Sequence, residues 1–520
     1  MQKFDLLILS VILLSASTVG AQPKARVFFD DNESMTASSV VTSKDGGFVI
    51  SGQKAYNSLF LKTDSEGTIL WKRQLKLSQT STQSSFTELI PTSDSNYLFA
   101  GNFYDQVLEH DILLIAKVAE SGDTIWTKGV NFGYNLTITS LKETPDKGFV
   151  ICGYTSINIP PYNQQFVCKL SQMGNFVWGK LLTSLDSGEG NGIRPTQDNG
   201  FILAGFAQQN TPYYGYASLV KLDAEGNISW GRKLSCSTTT NLYAFDVEAI
   251  QDGFLVCMKM DAYNGDVILS KTDLLGNILW SKTYTGFYSG GISNNQQIRI
   301  HKLSDGNFIM VHSGEMRKID PSGNTIWSRS PFMDAVDMAE CTDKSMLIIG
   351  NGPLLGVKQP LHYLPHIGII RADSAGENGY ACLSDGFPQQ SALSVSSKDT
   401  TFTAVDAGSF LSAPCTISEP TISSENGCVS FIGGLPEKEQ QNDIDIYPNP
   451  SSGYISIRSN VNSELQLTEI IDSFGKTVFT STEPGIISSS IELKSYSAGF
   501  YLLRIKFKSG TFARKFMVNK

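Results

Sequence analysis

Short apolar runs alternate with polar turns on one template through the first three quarters of the chain. An apolar residue is followed five positions later by an aspartate that opens a turn. An aromatic residue or methionine then starts a second run. The apolar marks are Val40, Leu89, Leu141, Ile193, Val247, Ile300 and Met338, and the turn aspartates are Asp45, Asp94, Asp146, Asp198, Asp252, Asp305 and Asp343. Aspartate beside glycine or asparagine supplies the positive φ of a two-residue hairpin turn, so each pair of runs predicts two antiparallel strands. A glycine four residues into the second run, at Gly52, Gly101, Gly153, Gly205 and Gly350, leaves room for a neighbouring backbone or ring.

A second hairpin follows each of these after a loop of variable length. Its mark is a cation, then a glycine five residues on, then a large ring four residues further: Lys62/Gly67/Trp71, Lys117/Gly122/Trp126, Lys169/Gly174/Trp178, Lys221/Gly226/Trp230, Lys271/Gly276/Trp280 and Lys318/Gly323/Trp327. A seventh copy reads Arg371/Gly376/Tyr380, with the ring exchanged. The unit therefore has four antiparallel strands, and seven units predict an all-β, seven-bladed β-propeller over residues 22–382. A single unit leaves both faces of its sheet open, whereas radial packing covers each face with a neighbour. The seventh unit lacks an evident fourth strand, and Arg26–Phe29 precedes the first, so this N-terminal strand is expected to complete it and hide an open edge.

Lys221–Trp230, Lys-Leu-Asp-Ala-Glu-Gly-Asn-Ile-Ser-Trp, resembles the tryptophan-docking repeat of quinoprotein-type propellers. The resemblance implies that each indole packs against the adjoining blade, a structural duty for Trp71, Trp126, Trp178, Trp230, Trp280, Trp327 and Tyr380. The aligned cations are expected to stack on rings or to pair with turn carboxylates. Dehydrogenases of that family use a calcium-assisted cofactor pocket and often a bonded pair of adjacent cysteines. No two cysteines are adjacent here, and no cofactor is expected.

The pattern breaks after residue 382. Residues 383–440 carry the Ser, Thr, Pro and Glu of a linker, with room for a cysteine-stapled hairpin. In 441–520, alternating Ile455, Ile457, Leu502 and Ile505 suit a half-buried sheet. The segment holds Tyr447-Pro448-Asn449-Pro450, Gly453, Gly475, Ser-Ala-Gly499-Phe-Tyr501 and a basic last strand from Lys515. It resembles the C-terminal sorting domain of type IX secretion cargo, a small β-sandwich recognised at the outer membrane. That implies the type IX machinery as partner, and removal of the domain or its use for surface attachment. At the other end, Lys3, the apolar run Leu6–Leu14 and Val19-Gly20-Ala21 make a secretory signal peptide over residues 1–21, too short an apolar run for a membrane span. The expected location is therefore secreted or cell-surface.

The net charge of -9 with no basic block disfavours nucleic acid as a partner. Eight cysteines in an exported chain permit disulfides. Cys152 and Cys257, at one strand position of non-neighbouring units, read as buried thiols, while Cys382, Cys415 and Cys428 cluster where a bridge could form. Catalytic patterns are weak. His362 and His366 are four apart, but Pro360, Pro365 and Gly368 deny them a shared helical face. Gly174–Lys180 matches most of a phosphate loop with Leu181 in the hydroxyl slot, and the Asp-x-x-Gly-x-x-x-Trp turn departs from the sialidase Asp-box in spacing. Antiparallel units place the tight turns on one face of the disc and the long loops on the other. The long loops carry Tyr104, Tyr162, Tyr213, Tyr214, Tyr216, Tyr263 and Tyr288 with many side-chain amides, a composition suited to a glycan or protein ligand. Glu88, Arg194, Asp246, Glu248, Arg299, Asp337 and Glu340 on the first strands are expected to line a channel or to pair between units. The sequence thus predicts a monomeric binding protein, with a propeller enzyme, either glycan-active or quinoprotein-like, as the alternative.

Overall fold

The computed structural model describes residues 25–518 apart from loop segments, the longest of them 285–297, 352–365 and 427–443. Residues 1–21, read above as a signal peptide, lie outside the described residues. Every element among the described residues is a strand.

Seven antiparallel sheets of five strands carry the repeats. Each of the first six has four consecutive strands, as in the first: Met35–Thr42, Phe48–Lys54, Asn57–Thr63 and Ile69–Leu77. The seventh has Asp334–Glu340, Met346–Asn351 and Ile367–Ala372, and its fourth place is taken by the N-terminal strand Ala25–Phe29, paired antiparallel from Ala25↔Ile370 to Phe28↔Ile367. The two ends of the repeat region are thereby laced together. The seven apolar marks at the first strands are all buried.

The fifth sheet keeps the two-residue turn expected from sequence, with Ile250 paired to Gly253, and in the other six the turn is wider. Gly46 N–H donates to Ser43 O and Ser43 N–H to Gly47 O, and the positive φ falls one residue after each aspartate, as at Gly46 (+82°) and Asn199 (+63°). The aspartate serves as an acceptor instead: Asp45 Oδ1 takes Gly47 N–H at 3.1 Å.

Residues 383–426, read above as a linker, are a belt. Leu383–Asp385, Gln390–Ala392, Val395–Asp399, Thr403–Asp406, Ser409–Leu411, Cys415–Ser418 and Ser423–Asn426 each add a fifth, antiparallel strand. They pair in turn with the outer strands of sheets six, five, four, three, two, one and seven. The chain runs back past the sheets in reverse order, and at each it covers the row of unpaired N–H and C=O groups that the outer edge would otherwise present. Of the cysteines expected to cluster, Cys382 and Cys428 lie outside the described residues. Cys415 sits in the belt opposite Leu77.

The C-terminal segment has a three-stranded sheet, Ile444–Tyr447, Tyr454–Ser459 and Ser490–Glu492, and a four-stranded one, Leu465–Ile471, Thr477–Ser481, Gly499–Phe507 and Gly510–Val518. Ile455, Ile457 and Ile491 from the first sheet share one apolar core with Ile470, Leu503, Ile505 and Phe516 from the second.

Candidate functional site: seams and central polar cavity

Each indole of the repeat rests on the glycine of the next sheet. A Cβ at Gly122 would lie 2.8 Å from the Trp71 ring, at Gly174 2.6 Å from Trp126, at Gly226 2.8 Å from Trp178, at Gly276 2.9 Å from Trp230, at Gly323 2.6 Å from Trp280 and at Gly376 3.3 Å from Trp327. These glycines also have positive φ, so two independent demands fix the residue type. The rings are half-buried, and Trp71 and Trp178 donate Nε1–H to Glu120 O (3.0 Å) and Ala224 O (3.2 Å) of the following sheet. Tyr380 lies outside the described residues. At the seventh seam the Arg26 side chain lies over Gly67, as Arg232 and Arg329 lie beside the indoles on Gly276 and Gly376, and its Nε donates to Glu66 O at 3.1 Å. The run of contacts returns to the first sheet.

The aligned cations pair within their own sheet with the turn aspartates: Lys62–Asp45, Lys117–Asp94, Lys169–Asp146, Lys221–Asp198, Lys271–Asp252, Lys318–Asp305 and Arg371–Asp343, at 2.6–2.8 Å. Burial pushes these carboxyls up, but the facing ammonium and the turn donors outweigh it and hold Asp45, Asp94, Asp198 and Asp305 at about 2. A carboxyl lower in the folded than in the unfolded state stabilises the fold above its unfolded value, about 3.9, and loses that contribution as pH falls through its folded value. The melting temperature should therefore drop between about pH 4 and pH 2. Asp198→Asn with Asp305→Asn should flatten the drop in a calorimetric pH series; an unchanged slope would remove these pairs from the account.

The first strands converge on a polar cavity of about 270 Å³ lined by sheets two to six, and a second lobe of about 260 Å³ is lined by sheets one, two, three, six and seven. Six of these strands carry a register irregularity at one position, between Ala37/Ser39, Phe86/Glu88, Ile138/Ser140, Gly190/Gly192, Ala244/Asp246 and Ala335/Asp337. Such a bulge re-aims a side chain. Here the re-aimed group reaches the next sheet: Thr87 Oγ1 donates to Ile138 O (3.2 Å), Thr139 Oγ1 to Gly190 O (2.7 Å) and Asn191 Nδ2 to Ala244 O (2.8 Å). At the seam of sheets seven and one, Asp337 Oδ2 accepts Ser39 Oγ–H (2.7 Å) and Val40 N–H (3.0 Å).

The charges expected on these strands are paired, both between neighbouring sheets and across the cavity. Arg194 of sheet four meets Asp246 (3.1 Å) and Glu248 (2.9 Å) of sheet five. Arg299 of sheet six reaches Glu88 of sheet two at 2.6 Å and lies 3.8 Å from Asp337 of sheet seven. Glu340 takes the N–H and hydroxyl of Ser304. Burial raises Glu88 above the usual carboxylate range in spite of Arg299; burial also pushes Asp337 up, but Arg299, His301 and Ser39 together hold it well below. His301 Nε2 stands 3.0 Å from Asp337 Oδ1, off the line of a hydrogen bond. Sequence reasoning passed over Lys142, which lines both lobes; its only signal is its spacing from Phe149, equal to that of Arg194 from Phe201.

The tyrosine face is described in part. Tyr104 is half-buried in Tyr97–Asp105, and Tyr213 and Tyr214 lie in Tyr213–Leu222 opposite Asn210 and Gln209. Tyr216 is buried beneath Lys233, 4.3 Å from its ring centre, in a strand covered on both faces from residue 215 on, so it is no ligand contact. Tyr162, Tyr263 and Tyr288 lie outside the described residues. In the sorting segment Tyr447 is exposed, Tyr501 is buried between Tyr496 and Phe516, and Gly453 O accepts Leu493 N–H. Gly499 and Lys515 sit in adjacent strands opposite Val518 and Leu502; Pro448, Asn449, Pro450 and Gly475 lie outside the described residues. Cys152 and Cys257 are buried free thiols, and burial pushes Cys152 up to about 12. No group of three metal-ligating side chains occurs among the described residues. His362 lies outside them.

Residues 445–519 match the family model of the secretion system C-terminal sorting domain. That match marks the chain as cargo of the type IX system, exported to the cell surface or beyond by an interaction with its machinery. No curated protein matches the chain. Among solved structures, a Bacteroides caccae protein of unknown function is 12% identical over 51% of this chain and 96% of its own, with a TM-score of 0.31. The plexin A4 extracellular region is 8% identical over 96% of this chain and 68% of its own, at 0.35, and the Vibrio cholerae biofilm matrix protein Bap1 10% identical over 70% and 79%, at 0.22. Likenesses this distant carry no argument. The quinoprotein-type likeness rests on the repeat motif alone.

Proposed function

We propose that the seven sheets close into a seven-bladed β-propeller that binds a glycan or protein through its long-loop face, followed by a small sorting β-sandwich. The propeller would span residues 22–426, belt included, and act outside the cell as a monomer after the signal peptide is removed. The cycle of indole-on-glycine contacts, completed by Arg26 on Gly67, supports the closed ring.

The observation that carries the binding reading over the enzymatic one is the state of the cavity carboxylates. Glu88 and Asp337 are buried, and with Asp246 and Glu248 they are committed to Arg299 and Arg194. A general acid or base must reach substrate in the right protonation state, and carboxylates already paired with guanidinium groups serve that poorly. The test is a glycan array and a surface-protein pull-down with the secreted chain. A hit weakened at least about tenfold by combined Tyr104→Ala, Tyr213→Ala and Tyr214→Ala supports the face. Undiminished binding would reject it, and turnover of a glycan or alcohol would favour the enzyme alternative.

A further inference from the structure

The charges around the cavity are sorted into layers. Glu88, Arg299 and Asp337 stand nine residues before the residue that follows their turn, Tyr97, Phe308 and Met346. With Asp246 of sheet five they form a deep layer in which three carboxylates face one guanidinium. Two residues nearer the turns, on the same side of each strand, the equivalent positions hold Lys142, Arg194 and His301, with Glu248 the one carboxylate beside them. Sheets one, two and seven place Val41, Ile90 and Ala339 at that level. This layer lies at the end of the cavity toward the Asp-turn face, where the strands end.

Its cations differ in how far they are satisfied. Arg194 is held by Asp246 and Glu248. Lys142 makes no hydrogen bond or ion pair among the described residues. Burial, then the charges of Arg194 and Arg299, outweigh the opposing carboxylates Glu88 and Asp246 and hold its ammonium below the usual lysine value. A buried cation with no hydrogen-bonded partner is costly, and the carboxylates whose charge reaches Lys142, Glu88 and Asp246, are already paired with Arg299 and Arg194. We propose that this layer is a binding site for a small oxyanion, a phosphate or carboxylate group that enters from the Asp-turn face and is held chiefly by Lys142, with Arg194 and His301 beside it. The cavity of about 270 Å³ accommodates such a group and is below the usual range for a drug-sized ligand. The site lies at the opposite end from the tyrosine loops and stands whether or not those loops bind anything.

Isothermal titration of the full secreted chain with sodium phosphate and, separately, sodium citrate tests it, with chloride holding ionic strength constant. Saturable binding of one or both is expected, and the two arms distinguish a phosphate from a carboxylate ligand. Lys142→Gln should weaken it by about tenfold or more, Lys142→Arg should keep it within a few-fold, and Lys147→Gln, on the exposed turn of the same sheet, should leave it unchanged. Melting curves without added anion check that each variant is folded. Absence of binding to either anion at about 10 mM, equal binding by Lys142→Gln, or an equal loss in Lys147→Gln would overturn the assignment.

Discussion

A chain cut after Gln440 should accumulate in the periplasm of a type IX-competent host, while the full chain reaches the surface or the medium. The cut removes the sorting segment at 445–519, whose strands pair only with one another among the described residues and enclose their own core. It spares the belt, whose last strand ends at Asn426. The shortened protein should therefore fold and still fail to cross the outer membrane, a loss of most of the exported material rather than a shift in stability. Fractionation with immunoblotting reads the result. A melting curve of the periplasmic form should match that of the full chain's repeat region. Undiminished export of the shortened chain would show that the sorting information lies elsewhere.

What the sequence made legible was whatever every repeat must solve in the same way. An indole that needs a Cβ-free seat on the next sheet forces glycine at Gly122, Gly174 and Gly226, and the ring and seat recur at a fixed spacing. A lysine that closes a turn through its aspartate recurs equally, as at Lys221 and Asp198. The strand Ala25–Phe29 was legible from a deficit, because one unit lacked its fourth strand.

The belt was illegible for the converse reason. Its strands are three to five residues long and rich in Ser and Thr, and each pairs at one edge with a different partner, so no period marks them. The pairing of Arg194 with Asp246 and Glu248 joins neighbouring sheets, as the sequence allowed, but the pair across the cavity was hidden: Arg299 and Glu88 are 211 residues apart, and only the folded arrangement sets them face to face. Tyr216 misled because loop composition does not show where a strand begins, and Tyr216 lies within Tyr213–Leu222, paired with Ala207 and buried.

The belt also sets the second large effect. A chain ending at residue 382 loses all seven outer strands, whereas one ending at 426 keeps them. Each belt strand satisfies part of an edge that would otherwise be a template for pairing with another chain. It also crosses from one sheet to the next, tying sheets that otherwise meet through side chains. The strand Ser423–Asn426 carries the greatest leverage: it covers Ala25–Phe29, the strand that joins the two ends of the repeat region, from Arg26↔Asn426 to Phe29↔Ser423. A net hydrogen bond contributes about 1 kcal/mol, partly offset by the ordering of the belt itself, so the loss over seven edges is on the order of several kcal/mol. For the chain ending at 382 the melting temperature should fall by roughly 10 °C or more, with self-association in size-exclusion chromatography. The chain ending at 426 should melt with the full chain and run as a monomer. A 382 variant that melts within about 2 °C of the 426 variant, without larger species, would show that the belt is an accessory to a ring already complete.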